Sequence, residues 1–215
     1  MIRVIKAVFA TYALVAIVGA FIGMGAVSNE ASAEEKKVDP TFIGAKKCKK
    51  CHLKQHKSWS KTALATSFEN LKPDVKADEK KAAKLDPKKD YTKDATCLKC
   101  HTSGYGTASG YPAVVKDKKW TEAETARAAL NEGVTCEACH GPGSEYSVFK
   151  KKNKEYKRDE IRALGAVTPP TAESCAPCHV KECPTMPADY KFDFETAKTS
   201  DAVHAHKKLK YDHGK

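Results

Sequence analysis

Cysteine and histidine recur together four times in this chain, each time as Cys-x-x-Cys-His. The copies are Cys48-Lys49-Lys50-Cys51-His52, Cys97-Leu98-Lys99-Cys100-His101, Cys136-Glu137-Ala138-Cys139-His140 and Cys175-Ala176-Pro177-Cys178-His179. Two thiols at this spacing can add across the vinyl groups of a porphyrin, while the next residue places an imidazole on the iron. That is the attachment chemistry of c-type haem. A lone Cys-x-x-Cys also suits a zinc knuckle, but four copies, each closed by His, point to four covalent haems. Cys48, Cys51, Cys97, Cys100, Cys136, Cys139, Cys175 and Cys178 are then the attachment points. His52, His101, His140 and His179 are the first axial ligands.

The second axial position decides whether an iron is closed or open to small molecules. Four further histidines follow the signal-like N-terminus: His56, His204, His206 and His213. On a helix, residues two apart project in nearly opposite directions, so His204 and His206 would reach two different haems. His56 lies one turn after His52 on the same helix face. It therefore cannot cap the far side of the first haem, but it can serve a neighbouring one. His213 is either a ligand or part of a free tail. Met186 is the sole thioether candidate beyond the N-terminal segment, against a plain packing role beside Pro184 and Pro187. Cys183, the ninth cysteine, is either a free thiol, a cross-link between chains or an iron ligand. Trp59 and Tyr105 are candidates to lie against porphyrin faces.

Short helices joined by loops must position these groups. The first cysteines fall at 48, 97, 136 and 175, giving intervals of 49, 39 and 39, too short for an independent haem-free domain. Residues 53–69 lack Pro and Gly and predict a helix, and residues 78–85 predict a second one ending before Pro87. Thr121 and Glu124 match a capping box, with Gly133 suited to the far end of that helix. Asp193 can cap a last helix running towards Leu209. Residues 102–112 and 141–147 read as loops, and 190–194 as one short strand. The expected fold class is mainly α, with short helices and long loops wrapped around four covalently bound c-type haems.

Composition supports a core made largely of cofactor. Between residues 34 and 215, only 24 of 182 residues are Leu, Ile, Val or Phe. So few large apolar side chains would by themselves predict disorder, and the apoprotein is expected to lack stable tertiary structure. At the N-terminus, Arg3 and Lys6 precede an apolar run, and Ala31-Ser32-Ala33 forms a small-residue cleavage site. Residues 1–33 read as a signal peptide or a retained membrane anchor, and residues 34–215 as a single tetrahaem domain. Export, most simply to the periplasm or else to the cell surface, follows from either reading. The net charge of +11 falls to +10 once that segment is removed. Haem propionates offset much of this excess, so nucleic-acid binding is not expected. The lysines solvate the surface, pair with propionates or form a docking patch for an acidic redox partner.

Residues outside the four motifs carry a family likeness. Gly44-Ala45-Lys46-Lys47-Cys48, Ser58-Trp59, Leu71-Lys72-Pro73, the stretch Lys84-Leu85-Asp86-Pro87 and the run Gly133-Val134-Thr135-Cys136 are similar to the tetrahaem cytochrome c-554 family. So are His140-Gly141-Pro142-Gly143, Tyr190-Lys191-Phe192 and the pair His204-x-His206. The resemblance implies a mainly helical fold around closely packed haem pairs, with three bis-His irons and one five-coordinate iron. It also implies electron transfer, as in the family's acceptors of electrons from hydroxylamine oxidation. Two departures stand out. Thr62-Ala63-Leu64 has Leu where the family carries His, and Ser144-Glu145-Tyr146 follows the third motif without a ligand His nearby.

The leading functional expectation is an electron carrier, not an enzyme, passing electrons between redox proteins such as a multihaem oxidoreductase or a quinone-linked membrane cytochrome. An enzyme reducing nitric oxide, nitrite or hydroxylamine would need an open haem with acid–base groups nearby. A homo-oligomeric conductive filament would need a His donated between copies. Every motif here ends in His, so the Lys-ligated catalytic haem of pentahaem nitrite reductases is absent.

Overall fold

The Thr121 hydroxyl accepts the Glu124 amide while the Glu124 carboxylate accepts the Thr121 amide. This reciprocal cap starts the longest helix of a computed structural model that describes residues 39–180, 183–187 and 189–207. In chain order the helices are α1 (Ala45–Cys48), α2 (Leu53–Trp59), α3 (Ala77–Ala82), α4 (Ala95–His101), α5 (Glu122–Asn131) and α6 (Cys136–His140). They continue as α7 (Ser144–Lys152), α8 (Arg158–Arg162), α9 (Ala172–Cys175) and α10 (Phe194–Ala197), with a 3-10 turn at Ser67–Leu71. No strand forms among the described residues; one isolated bridge pairs Thr102 with Glu132. The chain is mainly helical, as its local sequence signals and motifs predict.

Several boundaries differ from expectation. The helix predicted over 53–69 stops at Trp59, because Ser60 and Thr62 hydroxyls bond back to the carbonyls of Lys57 and Trp59. Such local bonds compete with the helical ladder. The 141–147 loop is shorter than expected, since α7 begins at Ser144. Asp193 does cap a helix, through the Thr196 amide, but that helix ends at Ala197. Residues 190–193 form no strand and Phe194 already belongs to α10; Tyr190 and Phe192 instead place their rings on His179. Leu209, His213 and the N-terminal segment 1–33 lie outside the described residues.

Among the described residues, buried apolar side chains gather mainly in two clusters. Phe68, Leu71, Tyr91, Leu98, Tyr111 and Ala128 form the first, with Tyr105 and Trp120 against it. Tyr156, Ile161 and Ala166 form the second, with Tyr146 and Phe149. Between them the chain is stitched by polar bonds. The segment before the third motif is tied at Val134, whose amide donates to the Leu64 carbonyl and whose carbonyl accepts Trp59 Nε1. Ser103 Oγ donates to the Gly133 carbonyl and accepts the Thr135 amide. Gly133 has φ +78°, and a Cβ there would lie 2.7 Å from the Ala65 carbonyl oxygen, so the approach requires glycine.

Candidate functional site

The four motifs occupy four helices and their ends: α1 and the α1–α2 turn, α4, α6, and α9 with the turn after it. Helix α6 packs against both α1 and α9. The sulfur atoms of Cys48 and Cys136 lie against each other, as do those of Cys100 and Cys178. Cys100 Sγ points to the Pro177 carbonyl at 3.9 Å, and Cys178 Sγ to the Lys99 carbonyl at 3.9 Å. Motif two therefore abuts motif four, motif four abuts motif three, and motif three abuts motif one.

The imidazoles of His101, His140 and His179 have Nδ1 engaged. His101 Nδ1 sits 2.6 Å from the Ser67 carbonyl oxygen, and His140 Nδ1 is 3.3 Å from that of Val167. His179 Nδ1 meets the Tyr190 hydroxyl at 2.5 Å. Donation from Nδ1 to an oxygen fixes the ring and leaves Nε2 for a metal. Burial holds His140 down to about 4, so its imidazole is neutral, as a ligand must be. Burial also lowers His179.

A cavity of about 1140 Å³ is lined by Cys48, Cys51, His52, Cys136, Cys139 and His140. Ordinary small-molecule pockets span roughly 300–1,000 Å³, so this one has room beyond a single small ligand. Arg158 also lines it, and its buried Nε has no hydrogen-bond partner. A propionate carboxylate is the acceptor such a group lacks. Donor set, volume and the unpartnered Arg158 Nε together fit haem.

The second-ligand candidates are placed unevenly. His204 stands opposite His140 in the same cavity, with ring centroids 6.3 Å apart and planes at 27°. Two imidazoles sharing one metal, each bonded at about 2.0–2.1 Å, have centroids roughly 6.3 Å apart. The pair is spaced as two sides of one iron. Residues 204–207 are not helical, and the His204 and His206 rings lie only 4.8 Å apart. The expectation that they project to opposite sides therefore fails, because α10 has already ended. The segment is held by α2 instead: Ser58 Oγ accepts the Ala205 amide, and Gln55 Nε2 donates to the Lys207 carbonyl. His56 lines the cavity edge-on to Trp59, at 5.3 Å between centroids, and burial lowers its pKa. Trp59 lines the same cavity, whereas Tyr105 packs into the first apolar cluster and its hydroxyl accepts the Val114 amide. Cys183 Sγ lies 3.3 Å from Thr185 Oγ1 and forms no disulfide. Leu64, at the position expected to hold His, also lines the cavity.

One residue of the site escaped the sequence reading. Glu137, between the cysteines of the third motif, is 1% exposed. Its carboxylate accepts the amides of Gly44 at 2.7 Å, Gly143 at 2.7 Å and Ile43 at 3.0 Å. Burial pushes its pKa up against the pull of those amides. It clamps the approach to motif one onto the exit from motif three. The signal was available: this is the one motif with an acid between its cysteines.

Residues 47–141 match the family described as cytochrome c554 and c-prime. The curated cytochrome c-554 of Nitrosomonas europaea is 35% identical over 202 residues, spanning 83% of this chain and 81% of the relative. This chain belongs to the cytochrome c-554 family. The solved reduced state of cytochrome c554 from Nitrosomonas europaea aligns at a TM-score of 0.68 and 35% identity, covering 83% of this chain and 91% of that one. As a member of the cytochrome c-554 family, the chain is an electron-transfer cytochrome with four covalent c-type haems.

Proposed function

We propose that residues 34–215 form a single tetrahaem domain that carries electrons between redox proteins and has no substrate of its own. The carrying observation is the continuous contact of motifs two, four, three and one through α4, α9, α6 and α1. When bound, the haems supply reversible one-electron chemistry at iron. The chain's own part is to fix their spacing and tune each potential through axial ligands and the bonds behind them. Cys48/Cys51, Cys97/Cys100, Cys136/Cys139 and Cys175/Cys178 would hold the four groups, and His52, His101, His140 and His179 would ligate their irons. His204, facing His140 across the cavity, would help to hold the same haem.

Docking is assigned to the surface around the first motif. Lys46, Lys47, Lys49, Lys50, Lys54, Lys57 and Lys61 are all exposed, and residues 40–68 contain no Asp or Glu. None of the seven forms an ion pair among the described residues. Such a field favours an acidic partner and steers its approach. The N-terminal segment 1–33 directs export, with the periplasm as the working compartment; among the described residues no helix is long and apolar enough to cross a membrane.

Purified protein should carry four haems by mass and titrate in several one-electron steps. It should also reduce and be reduced by an acidic redox protein, without consuming nitrite, nitric oxide or hydroxylamine. Bare exported polypeptide, or steady turnover of any of those molecules, would overturn the reading.

A further inference from the structure

The segment after α10 carries a histidine into the cavity without a helix to hold it there. The Ser200 and Val203 amides bond back to the carbonyls of Ala197 and Ser200, and residues 204–207 follow an irregular path. His204 is half-buried and faces His140 at 6.3 Å between centroids, whereas His206 is exposed, although it lines the same cavity. A ligand must present one orientation. On irregular backbone that orientation survives only where hydrogen bonds fix the ring and the peptide beside it.

Those bonds converge on one peptide. The Ala205 carbonyl oxygen lies 3.3 Å from His204 Nδ1 and also accepts the Lys207 amide at 3.0 Å. Donation from Nδ1 to that carbonyl leaves Nε2 for a metal, as for the motif imidazoles. The Ala205 amide in turn donates to Ser58 Oγ at 2.8 Å. Ser58 lies on α2, which begins directly after His52. A serine hydroxyl within a helix often bonds back to its own helix, but this oxygen meets an amide 147 positions further along the chain. Gln55 Nε2, one turn earlier on α2, adds a second tie to the Lys207 carbonyl at 3.1 Å.

We propose that Ser58 is a positioning residue: through the Ala205 peptide it orients His204 towards the iron of His140 and keeps that iron closed to small molecules. The proposal rests on His204 serving that iron, and the readouts separate the two. Carbon monoxide is mixed with the fully reduced holoproteins, and its binding is followed by absorbance in rate and in haem equivalents. H204A should gain one carbon-monoxide-binding equivalent over the wild type; if it gains none, the ligand reading falls and takes the proposal with it. S58A should admit carbon monoxide to the same haem about two- to tenfold faster than the wild type, as the loss of one net hydrogen bond allows. S58T, which keeps the hydroxyl, should restore the wild-type rate. In an H204A background S58A should change nothing further, and in an H206A background its effect should persist. Equal rates in S58A and wild type overturn the assignment to Ser58. So does an S58A effect that survives the loss of His204, as a merely structural role would, or one that disappears with His206. Q55L cuts the second tie and should act in the same direction; if S58A does not accumulate, the Q55L rate decides.

Discussion

Replacing Glu137 by Ala should loosen the joint between the first and third motifs and lower stability measurably. The carboxylate now accepts three backbone amides, at 2.7, 2.7 and 3.0 Å, with two of those bonds buried. Truncation strands all three donors, at about 1–3 kcal/mol each when buried. Against this, the native state no longer buries a charge, which offsets several kcal/mol. A net loss of about 2–4 kcal/mol remains. For a chain of this length that is a fall in melting temperature of roughly 5–15 °C. E137Q avoids the cavity but keeps only one acceptor oxygen, so one glycine amide would face an NH₂ group; about 1–3 kcal/mol is expected. Guanidinium titrations of the holoproteins, followed by far-ultraviolet circular dichroism, give the comparison. A redox titration of the same samples should show altered spacing between the potentials of the first and third haems. If both variants unfold within about 0.5 kcal/mol of the wild type, the clamp is ornamental and the argument fails.

Tyr190→Phe removes the hydroxyl that engages His179 Nδ1; a less electron-rich imidazole should raise that haem's potential by tens of millivolts, the equivalent of one net hydrogen bond of about 1 kcal/mol. Unchanged potentials in a spectroelectrochemical titration would count against a tuning role. Glu124 is pulled down to about 2 by the Thr121 amide and by Lys118. Its stabilising effect is therefore complete above the ordinary value of 4.5 and fades as pH falls towards 2. The stability gap between wild type and E124Q should close over that window, and a gap that widens on acidification would contradict the cap. Reversing Lys54, Lys57 and Lys61 to Glu should slow association with an acidic redox partner by on the order of tenfold at low salt, and flatten its salt dependence. Stopped-flow rates that ignore both charge and salt would place docking elsewhere.

What the sequence disclosed and what it hid divide along physical lines. Haem attachment was legible because covalent chemistry needs specific atoms at a fixed spacing, and that spacing is local. Likewise the capping box at Thr121 and Glu124 is written within four residues. The end of α2 at Trp59 was not legible, since it depends on hydroxyl back-bonds and on a tryptophan nitrogen reaching Val134, far along the chain. His204 and His206 were singled out as a pair, but their relation was argued from helical geometry. The segment takes its path from Ser58 and Gln55, about 150 positions earlier. Glu137 was passed over for a similar reason. An acid inside a motif reads as a surface residue until the glycine amides that surround it are known.

Motif three emerges as the place where the carrier's geometry is set. Its helix touches the helices of motifs one and four, and its own Glu137 holds the chain that leads into motif one. Upstream, residues 133–135 are bonded to residues that follow motifs one and two. Downstream, Gly141 adopts φ +77°, and a Cβ there would stand 2.3 Å from the Gly165 carbonyl oxygen. The Val167 amide then donates to the His140 carbonyl while the Val167 carbonyl faces His140 Nδ1. These ties are directional hydrogen bonds and close backbone approaches, not bulk apolar packing, of which the chain has little. Apolar contacts tolerate sliding; a backbone amide on a carboxylate or carbonyl does not, because its strength falls steeply with angle. Electron transfer between neighbouring haems needs a fixed separation and little else from the protein. A chain poor in large apolar residues can meet that demand by placing its few obligatory hydrogen bonds around one motif and letting the others register against it. On this reasoning G141A should disturb more than its own loop. It forces the strained φ and the clash together, so the His140 orientation and the motif-one contact should both shift, and redox titration should find at least two potentials moved. Movement of the His140 potential alone would show that the motifs are positioned independently.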